Sequence, residues 1–127
     1  MTFTRGDGAP RHRPGDQPPP QPGTGPPIHD LVIADLTDAG LPPAAADAVT
    51  HFISARKLLG LRRYGQYLQA FNSRSWRQDM QEELADAAAY ARQGLEELPP
   101  GPEADAHRAL YLLLLHQLAA ALTTADG

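Results

Sequence analysis

The last helical stretch constrains this chain most. From Glu103 to about Thr123 the sequence is apolar nearly all round through Leu118 and Leu122, and a helix of that kind has to be covered, within the domain or by a second subunit. Glu103 and Asp105 stand at the positive end of its dipole. Pro99, Pro100, Gly101 and Pro102 separate it from a preceding helix, expected from Trp76 to about Leu98, whose start is marked by Ser75 and Gln78 as a capping box. Further upstream, a second helix from about Pro43 is expected to bury Ala45, Ala48, Val49, Phe52 and Leu59 and to run on past Gly60 towards Tyr64 and Gly65. Gly65 to Ser75 is a turn or loop. A short first helix carries Val32, Ile33 and Leu36, with Asp30 as its expected cap and Gly40, Pro42 and Pro43 as the break before the second. No stretch alternates at period two and no internal repeat is visible. The pattern predicts an all-α, four-helix bundle domain over residues 28–127.

Residues 1–27 carry eight prolines and five glycines, and hardly an apolar side chain beyond Phe3. Such a segment buries too little surface to offset the entropy of ordering it, so a disordered tail is expected there. A polyproline ligand at Pro18, Pro19 and Pro20 is the weaker alternative. The formal net charge of -4 argues against a general nucleic-acid binder, which needs a basic surface. With no cysteine there is no disulfide framework, thiol nucleophile or zinc-thiolate site. The longest apolar run, Ala109 to Leu115, is far too short to span a bilayer, and the N-terminus lacks the apolar centre of a signal peptide. A cytoplasmic protein without membrane attachment is expected.

Two sets of charges stand out. On the third helix Asp79, Glu83 and Asp86 fall one above another at helical spacing, with Tyr90 beyond them, about a quarter turn from an apolar stripe of Met80, Leu84, Ala87, Ala91 and Leu95. Three carboxylates at the rim of a buried face are a candidate metal site. Residues 48–78, by contrast, contain Arg56, Lys57, Arg62, Arg63, Arg74 and Arg77 and no acid. Cations beside clustered carboxylates suit a magnesium-bound polyphosphate. Arg56 projects from the middle of the Val49 and Phe52 stripe, and Arg63 follows seven residues on. A charge on a buried face requires a partner. Either these guanidinium groups pair with Glu83 or Asp86 to fix helix packing, or both sets face a groove that holds phosphate and metal.

The segment GLRRYGQYLQAFNSRSWRQDMQEELADAAAYARQ, with the preceding ISARKL, resembles small bacteriophage-type proteins of the MazG-like, all-α nucleoside triphosphate pyrophosphatase superfamily. The shared elements are a Tyr-Gly turn at Tyr64 and Gly65, then Asn72 and Arg74, then a helix reading Asp-x-x-Glu-Glu-x-x-Asp with a Tyr four residues on. The resemblance implies pyrophosphate release from a (deoxy)nucleoside triphosphate, with magnesium, or manganese in its place, neutralising charge. It implies Glu83 and Asp86 as metal ligands, Asp79 and Glu82 as further ligands or, for Glu82 with Glu83, as catalytic groups orienting water. Arg56, Arg63, Asn72 and Arg74 would then contact the substrate. The superfamily's other half-site, Glu-Glu-x-x-Glu on the preceding helix, has no counterpart, because nothing acidic follows Asp47 before Asp79. A homo-oligomer in which another subunit completes the site, or a diverged relative that only binds nucleotides, accommodates that gap. A non-catalytic helical interaction and oligomerisation module is the alternative from a different class.

The remaining candidates are weaker. His107 and His116 are nine residues apart on the last helix, His29 and His51 are isolated, and no pair has the i, i+4 spacing of a zinc site. Core or boundary histidines are expected. Trp76 is expected to staple the third helix to the core, with base stacking as its alternative. No Gly-rich phosphate loop and no nucleophile beside a base appears.

Overall fold

Proline opens helices here and glycine or proline closes them. A computed structural model describes residues 17–123. Pro27 precedes α1 (Ile28–Asp35), which tightens into a 3-10 turn (Leu36–Asp38), and Pro42 precedes α2 (Pro43–Tyr64). Gly65 ends α2 in the left-handed conformation (φ 73°), its N–H returning to the Leu61 carbonyl at 2.8 Å, a backbone that costs a glycine nothing. α3 (Trp76–Glu97) and α4 (Pro102–Thr123) follow on either side of the Pro-Pro-Gly break. The described chain is all-α, with four α-helices and no strand beyond an isolated antiparallel bridge between Thr24 and Ala70. No described helix is long and apolar enough to cross a membrane.

The chain divides into two compact units, one through Arg74 and one from Ser75. In the first, α1 packs on α2. The half-buried positions of α2 are Ala45, Ala46, Val49, Thr50, Ile53, Ser54, Lys57, Leu59, Gly60 and Leu61; within them Ala46, Val49, Ile53, Lys57 and Leu61 are spaced by three and four, as the middle of one helical face requires. Phe52, expected in the core, lies beside that face and is 69% exposed, and Arg56 is exposed with it. The cation within the stripe is therefore Lys57, not Arg56. Its ammonium reaches the Asp30 carboxylate on α1 at 2.8 Å and lies 4.8 Å from the centre of the Tyr67 ring. Asp30 does not cap α1; it sits in the first turn and is used as the partner of Lys57.

The expected tail divides as well. Residues 1–16 lie outside the described residues, whereas 17–27 take an extended course hydrogen-bonded along the loop after α2.

In the second unit α3 and α4 form an antiparallel hairpin: Gln81 Nε2 donates to the Ala121 carbonyl at 3.1 Å near one end, and His107 Nε2 lies 2.8 Å from the Ala91 carbonyl nearer the other. Ser75 caps α3, its hydroxyl accepting from the Gln78 N–H at 3.1 Å. α3 turns Gln81, Leu84, Ala88, Ala91 and Leu95 inward, and α4 turns Ala104, His107, Tyr111, Leu114, Leu118 and Ala121 inward. Both sets alternate steps of three and four, the seam of a coiled coil. The most deeply buried side chains are alanines, Ala88, Ala91 and Ala121. Met80 lies off the α3 seam and is exposed, a departure of one position from the expected stripe. Trp76 is not a core staple: one residue short of the seam, it is 65% exposed, with the Arg77 guanidinium 4.7 Å over its ring.

Candidate functional site

On α3, Asp79 and Asp86 are half-buried, while Glu82 and Glu83 are exposed. Asp79 falls in the first turn, where the helix dipole favours a carboxylate. Glu82 accepts from Gln78 Nε2 at 3.0 Å. Glu83 and Asp86 are a turn apart, so their Cβ atoms lie about 5–6 Å from each other. Asp79 and Asp86 are seven residues apart, about 10 Å along the axis, too far to share one ion. Among the described residues no three Asp, Glu or His side chains gather into a metal-ligand group. One helical face thus offers carboxylate pairs, hard oxygen donors of the kind magnesium and manganese accept.

The other expected residues belong to the first unit. Arg56 and Arg63 are exposed on α2, and Arg62 and Arg63 lie in its last turn, where cations suit the negative end of the dipole. The Arg56 charge adds to desolvation in holding His29 below the ordinary histidine value. His29 Nδ1 is shut off from solvent and has no partner among the described residues. The expectation that His107 is a boundary histidine fits its half-buried place and its bond to the Ala91 carbonyl.

A polar network that the sequence pattern conceals joins the loop from Gly65 to Arg74 to the segment laid along it. Asn72 is only 7% exposed, and its Oδ1 accepts from the Arg74 N–H at 3.2 Å. Phe71 (φ 58°) and Ser73 (φ 69°), on either side, hold left-handed conformations that side chains rarely adopt. The backbone bends inward at Asn72 at a cost of order 1–3 kcal/mol per such residue, so the surroundings must enforce it. Three backbone bonds do so, the two segments running in opposite directions around the isolated Thr24–Ala70 bridge: Gln21 N–H to the Asn72 carbonyl (2.8 Å), Thr24 N–H to Ala70 (2.9 Å) and Ile28 N–H to Leu68 (2.8 Å). Side chains add to them. Gln69 Oε1 accepts from Gly23 N–H (3.2 Å) and its Nε2 donates to the Gly25 carbonyl (2.7 Å), while Gln66 Nε2 donates to the Gln21 carbonyl (2.9 Å). Arg74 Nη1 donates to the Pro18 carbonyl at 2.7 Å. Residues 18–24 have only three backbone N–H groups among their prolines, at Gln21, Gly23 and Thr24, and the loop takes all three. Gly23 has no room for a side chain, since a Cβ there would run into the Ala70 carbonyl oxygen.

The substrate-contact set thus divides between an exposed pair on α2 and a braced loop, and the acids lie on a helix of the other unit. Searches with the chain find no matching family model, no matching curated protein and no matching solved structure.

Proposed function

We propose that this chain is a MazG-like nucleotide pyrophosphohydrolase, or a diverged nucleotide-binding relative, acting on (deoxy)nucleoside triphosphates in the cytoplasm as a homo-oligomer. The observation that carries the proposal is the Glu83 and Asp86 pair, one turn apart on α3 and at the edge of solvent. That pair would hold magnesium or manganese, which supplies charge neutralisation at the phosphate oxygens, with Asp79, a turn before it, taking part through metal-bound water. Glu82 and Glu83 would orient a water for attack on phosphorus. Arg56, Arg63 and Arg74 carry the charge to meet phosphate oxygens, and Asn72 adds an amide beside Arg74. One copy has no acid between Asp47 and Asp79 and so offers half a ligand set; a second copy supplies further carboxylates.

One observation favours a second reading, a non-catalytic helical oligomerisation module: Leu110, Leu112, Leu113, Leu115 and Leu122 of α4 are all between 38% and 54% exposed. Magnesium distinguishes the two. A Glu83→Gln variant should keep the metal-free melting temperature, because an exposed rim carboxylate contributes only about 0–1 kcal/mol. It should lose the stabilisation that magnesium with a nucleoside triphosphate gives the unaltered protein, about 2.7 kcal/mol at a hundred times the Kd. If the unaltered protein gains nothing from any nucleotide with magnesium, the oligomerisation module is the better account.

A further inference from the structure

We infer that α1 is a proton-operated latch: a proton on His29 lifts the first turn of α1 off α2 while the rest of the fold stays in place. The latch is independent of the proposed nucleotide chemistry.

His29 and Ile33 of α1 and Leu36 of the turn that follows are half-buried and spaced by four and three, so the histidine stands on the face that α1 turns to α2. Two bonds tie down this end of α1, Ile28 N–H to the Leu68 carbonyl and Lys57 Nζ to the Asp30 carboxylate, each 2.8 Å. His29 comes between them in the chain. An imidazolium donates from both of its nitrogens. Nδ1 of His29 is closed to solvent and meets no acceptor among the described residues, so the charged ring would bury an N–H with nowhere to bond, which is costly. The surrounding charges oppose the proton as well. Arg56 and Lys57 on α2 are cations, the carboxylate that acts on the ring, Asp30, is already held by Lys57, and Tyr67 offers Lys57 a ring face and no carboxylate. Burial and these cations hold the ring below the ordinary histidine value. Lifted into water it regains that value, so below about pH 6.5 proton uptake favours the lifted state. The rest of α1 gives it little to hold by: none of its residues is fully buried, and Leu31 and Val32 are 45% and 37% exposed. Segments with few buried contacts open before the rest of a fold. An eight-residue helix is too short to persist alone in water, so α1 unravels once lifted, freeing Lys57 and baring Ile33 and Leu36.

Amide exchange of the full chain, corrected for the intrinsic pH dependence of exchange, reads the latch at about pH 7.5 and about pH 5.5. In the unaltered chain the amides of residues 32–35 should lose protection several-fold between the two, while those in the middle of α2 keep theirs. His29→Gln cannot take the proton and should hold the protection of α1 level across the range. Arg56→Gln, at an exposed position, removes one of the opposing charges and should lessen the loss, so a folding failure of the first variant does not end the experiment. An equal loss in His29→Gln or an unchanged loss in Arg56→Gln overturns the inference. So do α1 amides in the unaltered chain that are unprotected at the higher pH, that stay level across the range, or that lose protection together with those of α2.

Discussion

At His29 burial outweighs a nearby carboxylate. Loss of solvent and the positive charges of Arg56 and Lys57 disfavour the imidazolium, Asp30 favours it, and the balance lies below the ordinary value. The consequence for stability has a definite sign. Above about pH 6.5 the ring is neutral both folded and unfolded, and it contributes no pH dependence. Below that, the unfolded chain takes the proton first, so stability falls with pH until His29 itself protonates at its lowered value. Urea midpoints of the unaltered protein should drop between about pH 7.5 and about pH 5.5, and a His29→Gln variant should lose part of that drop. An equal drop in both would mean that His29 titrates as an ordinary exposed histidine. Lys57 is the complementary case: its hydrogen bond to Asp30 raises it above its usual value, so that contact persists throughout this range.

Between elements, α3 and α4 approach closely at Gly94 and His107. A Cβ on Gly94 would meet the His107 imidazole, which is held by the Ala91 carbonyl. A glycine within a helix costs about 0.8–1 kcal/mol relative to alanine, so its presence needs this reason. Gly94→Ala should gain that propensity and lose about as much or more through the displaced His107 bond, leaving it neutral to destabilising. With His107→Ala in place, the same substitution should stabilise by about 1 kcal/mol. The double-mutant cycle in urea measures the coupling; identical effects in both backgrounds would show that the helices do not meet there. The same pair shows what was legible in the sequence. The elements were, since Pro42, Pro99–Pro102 and Gly65 bound the helices where local sterics demand. The rotation of each helix was less so. The α2 stripe passes through Ile53 and Lys57 and not through Phe52 and Arg56, and the partners that Lys57 meets there, Asp30 on α1 and Tyr67 beyond the end of α2, lie outside the helix whose pattern was read. The course of residues 17–27 was not legible at all: a proline-rich composition argues for disorder, while the few N–H groups that these residues spare find acceptors more than forty residues away.

For the whole molecule, the question set by α4 is what covers its outer leucines. Its inward seam, through Tyr111, Leu114, Leu118 and Ala121, is met by α3. Leu110 and Leu113 lie outside the seam together with Leu112, Leu115 and Leu122. From Ala109 to Thr123 there is not one Asp, Glu, Lys or Arg, so this face has no charge pattern by which to select a different partner and no repulsion against its own copy. Two hairpins joined through it would bury the core of a four-helix arrangement and bring a second set of α3 carboxylates into the same particle. The full chain should therefore sediment as a dimer or higher oligomer at tens of micromolar, above a dissociation constant of about 1 µM or tighter. Leu113→Glu, at the most exposed of the 110–115 leucines (53%), should weaken association by about a hundredfold or more, since a buried unpaired carboxylate costs several kcal/mol. Its helical circular dichroism should be retained, because Leu113 is outside the α3–α4 seam. A clean monomer for the unaltered chain at those concentrations would remove the oligomer, and with it the second copy as the source of the carboxylates that a complete metal site requires.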